Sequence, residues 1–346
     1  MIAAVFDAIG KPLRIDRMPD PVARAGELVL RVGACGICGS DLHAATYDDG
    51  IFGDPLPPGT ILGHEFAGEV VEVGAGGKER WRVGDRAAGF PILSCGRCAA
   101  CRAQRPADCR SARFMGLSGA AGAYAEYAVA DAHHSVPLSG GVDDQRAPLA
   151  EPQAVCLHAA SLGMPLRGAR VLIIGAGPIG LLLVAACRHN GARGIVVSDI
   201  APERLSRALA MGAEGVVDAS RGHADETIRD LAKGRPDVVF DAAGGEATLD
   251  FACTIAARGA RIVVVAPAAK PVPFNAMTGF YKELTIRFSK AYSTGAFREA
   301  CRMIEDGEID VRPAISSVVG FPAFPALFDS LLRPNSHGKV LLAPFN

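Results

Sequence analysis

The run VLIIGAGPIGLLLVAAC, residues 171–187, decides the fold. Val171–Ile174 is a short apolar strand. It leads into Gly175-Ala-Gly177-Pro-Ile-Gly180, a full G-x-G-x-x-G, and then into an apolar helix predicted to run to about Asn190. Each small residue has a mechanical reason: Gly175 allows the tight turn, Gly177 lets the backbone approach a pyrophosphate, and Gly180 lets helix and strand pack closely. Pro178 and Ile179 occupy the first helical turn, where a missing N–H costs nothing, and the helix N-terminus faces a phosphate with partial positive charge. At 17 residues, with three Gly and a Pro, the run is short for a bilayer span of about 20 residues.

Reading outward, strand and helix alternate. Strands are expected at Arg170–Ile174, Gly194–Asp199, Gly215–Asp218, Asp237–Asp241 and Arg261–Ala266, with helices at Pro202–Met211, Ala224–Lys233 and Glu246–Arg258. This βαβ rhythm predicts an α/β fold with a doubly wound parallel sheet. Asp199 ends the second of these strands, 24 residues after Gly175. A carboxylate there accepts ribose hydroxyls and repels a 2′-phosphate, which favours NAD over NADP; Arg204 would soften that repulsion.

Residues 1 to about 147 have a different texture. Short apolar runs (Glu27–Val32, Glu69–Val73, Ala125–Val129) alternate with Gly, Pro and Asp turns, the pattern of a β-rich domain. After about 285 the chain is expected to return to it, ending in the strand Lys339–Leu342. The predicted division is a first domain of 1–147 and 286–346, with a lobe at 94–110, and a cofactor domain of 148–285. A formal charge of −1 over 346 residues, 36 basic against 37 acidic, argues against a nucleic-acid or anionic-membrane partner. The N-terminus lacks the basic leader of a signal peptide, so the ten cysteines are expected in a reducing cytoplasm.

Four of those cysteines, Cys95, Cys98, Cys101 and Cys109, stand in SCGRCAACRAQRPADCR. A disulfide pair is disfavoured by compartment, and the last gap is too long for the bacterial ferredoxin pattern. Zinc in a closed tetrahedron of thiolates suits the spacing best, and such a site would be scaffold. Chemistry must lie elsewhere. Candidates are Cys38, Ser40, Asp41 and His43 in GICGSDLH, His64 and Glu65 in GHE, and Glu151 in AEP at the junction between domains. Cys38, His64 and a carboxylate give zinc a mixed donor set with an open position, and Asp41 could hold the far nitrogen of His64. Singly, each has a plainer reading: Cys35 and Cys38 as a redox pair, His64 as a structural histidine, Glu151 as a helix cap. Cys156 and His158 read as packing residues, His133 and His134 as surface loop.

Taken together, GICGSDLH, ILGHEFAGEVVEVG, VGDRAAG, the four-cysteine lobe, AEP and GAGPIG resemble, in order, the zinc-dependent medium-chain alcohol dehydrogenase family. The resemblance implies a GroES-like catalytic domain beside the Rossmann domain and two zinc ions per chain. It implies catalytic zinc on Cys38 and His64, with Glu65 or Glu151 as third ligand, and structural zinc on the four lobe cysteines. It further implies hydride transfer between a secondary alcohol, diol or polyol and NAD, and a proton route through Ser40 and the nicotinamide ribose to His43. Family relatives are usually homodimers or homotetramers, and Arg261–Ala266 is a candidate edge strand. Two departures blur the substrate. Ile92 stands where threonine dehydrogenases tend to carry His, and Lys290-Ala291 precede Tyr292 where sorbitol-type enzymes tend to read Phe-Arg; Lys290 is a candidate charge near the pocket, though it reads more simply as a surface lysine. The alternatives are a zinc-free NADPH-dependent quinone or enone reductase of the same fold, which would lack donors at 38 and 64, and a non-enzymatic NAD-binding protein.

Overall fold

A computed structural model describes residues 1–48, 53, 55–266, 268 and 270–346. The strand Arg170–Ile174 forms the middle of a six-stranded, wholly parallel sheet. The strand order is Gly215–Asp218, Arg193–Asp199, Arg170–Ile174, Val238–Asp241, Arg261–Val264, Thr285–Phe288. In chain order within the sheet that is 3-2-1-4-5-6, and the order reverses beside Arg170–Ile174, where such sheets leave a crevice for a ligand. Val171, Leu172 and Ile173 are fully buried. Burying each such side chain stabilises the fold by about 1.5–3 kcal/mol, which explains why an uninterrupted apolar run sits at the centre.

The expected helices are present, with ends trimmed: Pro178–His189, Pro202–Ala210, Ala224–Leu231 and Thr248–Ile255. Arg261–Val264 is not an edge. It has hydrogen-bonded neighbours on both sides, and the outer strand is Thr285–Phe288. The sheet therefore runs past residue 285, because the short helix Ala276–Lys282 returns the chain for one more parallel pairing.

The β-rich part is built round the long strand Glu27–Gly36, paired with Glu65–Val73 and Tyr127–Asp131. The C-terminal strand Lys339–Leu342 lies antiparallel to its far end, with Leu341 opposite Gly36 and Leu342 opposite Cys35. Helix Thr294–Glu305 packs in the same apolar core as helix Ala150–Leu162. Among the described residues no helix is long and apolar enough to cross a membrane.

Candidate active site

Cys38 precedes the helix Gly39–Thr46, and Asp41 in its first turn accepts a hydrogen bond from the Cys38 amide at 3.0 Å. The strand Glu65–Val73 begins immediately after His64, and Gly63 makes that entry possible. Its φ is +95°, and a Cβ there would stand 2.4 Å from the Tyr124 ring. Only glycine tolerates both demands. Two segments distant in sequence thus meet, and one ligand atom each from Cys38, His64 and Glu65 all lie within 4.8 Å of one another.

The supports around this cluster are specific. His64 Nδ1 faces Asp41 Oδ1 at 3.3 Å, an ion-pair distance, while Nε2 lies 3.4 Å from Ser40 Oγ. Asp41 is fully buried and held by three donors: the Cys38 amide, the Tyr124 hydroxyl at 2.6 Å and the Gly63 amide at 3.2 Å. Burial works against its charge, but His64 and these donors outweigh that and hold its pKa below the ordinary value. Burial likewise opposes an imidazolium at His64, and the charges of Asp41 and Cys38 reverse the balance, raising its pKa. Asp41 therefore fixes the ring by Nδ1 and leaves Nε2 turned to the Ser40 side, the arrangement a metal-ligating histidine needs.

Glu65 has a partner that the sequence did not announce. Lys339, 1% exposed, donates to Glu65 Oε1 at 2.7 Å, to Oε2 at 2.6 Å and to the Ile37 carbonyl at 2.9 Å. Every ammonium proton is used, and the pair neutralises two charges that neither could carry alone in this interior. Glu151, in the first turn of helix Ala150–Leu162, is 7% exposed and stands beside these groups without joining the 4.8 Å cluster. Burial, the His64 charge and the Glu65 carboxylate leave its pKa at about 7. Tyr292, also buried, lies against the Glu151 carboxyl, stacks on Phe297 and meets the Phe90 ring edge-on.

At the crevice of the parallel sheet, Gly177 caps helix Pro178–His189 and Pro178 is its first residue. A Cβ on Gly180 would meet the Gly175 carbonyl oxygen at 1.8 Å, which forces glycine there, whereas nothing lies within 4 Å of where a Cβ on Gly177 would stand. The turn is tight on its inner side and open at the helix N-terminus, as a pyrophosphate requires. Asp199 closes the site: Oδ2 accepts from the Ala176 amide at 2.7 Å and Oδ1 from the Ala201 amide at 2.9 Å. Asp241, missed in the sequence, does similar work at the next strand end, where it accepts from the Ala243 and Gly244 amides and the Thr248 hydroxyl.

Away from the cleft, Cys95, Cys98, Cys101 and Cys109 also bring their sulfurs within 4.8 Å of one another. The Cys98–Cys101 and Cys95–Cys101 separations are 3.5 and 3.9 Å. Sulfurs placed 2.3 Å from a central zinc in a tetrahedron stand about 3.8 Å apart, so the donor set fits that ion. Backbone amides of Arg97 and Cys98 lower the Cys95 pKa to about 6, which favours the thiolate a metal needs.

Residues 24–140 match the alcohol dehydrogenase GroES-like domain, and residues 178–306 match the zinc-binding dehydrogenase domain. Sorbitol dehydrogenase of Bacillus subtilis is 33% identical over 292 residues, 82% of each chain. The chain belongs to the zinc-dependent medium-chain alcohol dehydrogenase family. Two solved structures superpose on this dehydrogenase over 99% of both chains. One is an Escherichia coli alcohol dehydrogenase complexed with NADH, with TM-score 0.87 and 29% identity. The other is a zinc-binding dehydrogenase of Sinorhizobium meliloti bound to NADP, with TM-score 0.89 and 30% identity.

Lys290 is the surface lysine of its simpler reading: it is exposed and pairs with Asp108 at the rim of the cysteine lobe, 3.7 Å away. His134 is half-buried against the Phe90 ring rather than free in a loop, and burial pulls its pKa down to about 4. Cys156 packs as expected, its thiol donating to the Ile179 carbonyl at 3.4 Å. Lys339 was legible only as a strand residue, because a lysine in strand-like GKVLL carries no signal of burial.

Proposed function

We propose that this oxidoreductase interconverts a secondary alcohol, diol or polyol and its ketone, using NAD, with one zinc ion held by Cys38, His64 and Glu65 and a second by the four lobe cysteines. The observation that carries the reading is the 4.8 Å cluster of one sulfur, one imidazole nitrogen and one carboxylate oxygen in a buried cleft. A zinc bound there supplies Lewis acidity, and a bound nicotinamide supplies hydride exchange.

The chain's own residues do the rest. Cys38 and His64 offer donors, with Asp41 orienting the imidazole and Lys339 balancing the Glu65 charge so that the site stays near neutral. Zinc held by these three protein donors would keep a fourth position for the substrate oxygen, which a closed thiolate site would not. Glu151, buried beside these groups with Tyr292 against its carboxyl, would exchange a hydrogen bond or proton with substrate. Ser40 and His43 are three residues apart on one helix and share a face. The Ser40 hydroxyl would accept the proton the alcohol loses while passing its own on toward half-buried His43, whose ring lies tilted against Tyr47 at 4.6 Å and which would release a proton to water. Asp199 at the strand end gives NAD preference over NADP by charge.

The outer strand Thr285–Phe288 leaves one row of backbone groups unpaired, and Phe280, Tyr281 and Phe288 beside it are 72, 63 and 67% exposed. Edge-to-edge pairing of this strand in a homodimer would cover both. A reducing, cytoplasmic setting suits ten free thiols.

A panel of secondary alcohols, vicinal diols, polyols and L-threonine with NAD tests the proposal by NADH absorbance. Turnover of secondary hydroxyls is expected; turnover confined to primary alcohols would overturn the substrate class, and reduction of enones without zinc would restore the rival reading.

A further inference from the structure

Arg204 sits in the first turn of helix Pro202–Ala210, five residues beyond Asp199, where its guanidinium would be the natural partner of a 2′-phosphate. The structure gives it other work. Nε donates to the His337 carbonyl at 3.1 Å, Nη2 donates to Asn335 Oδ1 at 3.0 Å, and Nη1 stands 3.9 Å from Asp199 Oδ2. All three nitrogens are turned to groups of this chain. Two of the three partners come from a segment more than 130 positions away, between helix Phe324–Leu331 and strand Lys339–Leu342.

The clamp is built before any ligand arrives. The Asn335 amide nitrogen donates to the Arg333 carbonyl at 2.8 Å and reaches the Leu331 carbonyl at 3.4 Å. Its Oδ1 accepts from the His337 amide at 3.1 Å as well as from Arg204. With its donors fixed behind it, the carboxamide can present only oxygen to the guanidinium. A guanidinium held along its Nε–Nη2 edge, with Nη1 drawn toward Asp199, must break charge-assisted hydrogen bonds before that edge can fork onto a phosphate.

We infer that Asn335 is a specificity-determining residue of the cofactor site: with the His337 carbonyl it withholds Arg204 from a 2′-phosphate, leaving Asp199 to decide the cofactor. The inference rests on the NAD reading of the Gly175–Asp199 site. It makes cofactor choice depend on a segment of the C-terminal part of the chain, two residues before Lys339 enters its pair with Glu65.

Nucleotide fragments test this without turnover. Adenosine 5′-monophosphate and adenosine 2′,5′-bisphosphate are titrated calorimetrically into the full-length zinc-loaded protein. Wild type should prefer the monophosphate. Asn335→Ala should gain about ten-fold in affinity for the bisphosphate while holding the monophosphate as before, one charge-assisted hydrogen bond having been released for the new anion. Adding Arg204→Ala should erase that gain. Asn335→Asp, which tightens the clamp and adds a negative charge, should weaken the bisphosphate further and serves where the alanine variant folds poorly. An unchanged preference in both Asn335 variants, or a gain that survives Arg204→Ala, would overturn the inference while the NAD reading stands. Wild-type preference for the bisphosphate would overturn both.

Discussion

The protein holds two clusters of metal donors, and they are built on opposite plans. The lobe draws four thiols from one loop of fifteen residues, Cys95 to Cys109, and supports them with the loop's own amides. The cleft draws one thiol from one segment and an imidazole and a carboxylate from another, and the last two are each steadied by a second group: Asp41, itself held by Tyr124, for His64, and Lys339 for Glu65. With zinc bound, the first plan would close the coordination sphere and leave the ion nothing to do but pin the chain. The second would leave a position open, and keeping it open in a buried site would require the surrounding charges to be balanced. A scaffold site is cheap in residues; a working site spreads its demands across the fold.

The largest effect that separates the plans lies in the lobe. Cys101→Ser, or chelation of wild type, should loosen residues 94–110 and lower the thermal midpoint by about 10 °C or more, because metal–thiolate bonds stand in for a missing core. Hydrogen exchange should speed up across the lobe and leave the 170–174 strand protected. If the lobe stays protected, its thiols hold no structural ion.

Next in size is the buried pair. Lys339→Met leaves the Glu65 carboxylate uncompensated at 1% exposure, and should cost about 3–5 kcal/mol in denaturant unfolding. The double variant Lys339→Met with Glu65→Leu removes both charges and should recover most of that stability. It should not recover turnover. Recovery of both would mean the pair serves packing alone.

The smallest effect concerns acid. His134 has its pKa pulled down to about 4 by burial against Phe90 and by nearby His133, Arg298 and Arg80, against 6.5 in the unfolded chain. The unfolded state binds the extra proton between these values, so this contribution is present above pH 6.5 and is lost as pH falls towards 4. His134→Gln should flatten the fall in stability over that window by a small but measurable amount. That separates charging of a buried imidazole from acid release of metal; an unchanged profile would assign the whole acid limb to the clusters.

Legibility followed contiguity. The nucleotide loop was readable because strand, Gly turn, helix and Asp199 are fixed by local geometry, and the lobe because its donors share one loop. The cleft donors were named from their motifs, but their supports were not. Lys339 lies 274 positions from Glu65, and only the antiparallel pairing of Lys339–Leu342 beside Glu27–Gly36 brings them together. The sheet edge was misplaced for a similar reason. Thr285–Phe288 has too weak an alternation to be read as a strand, and it becomes one by adding to an edge already formed. Asn335 likewise gains its role only where tertiary structure folds its loop onto Arg204.

Zinc content and turnover measured together on wild type and Cys38→Ser bear most directly on the cleft's role. Two zinc ions per chain are expected in wild type. The variant should keep one, with the lobe intact, and its alcohol-dependent NADH formation should fall by about a thousand-fold or more. A variant that retains both ions and oxidises substrate undiminished would contradict the account.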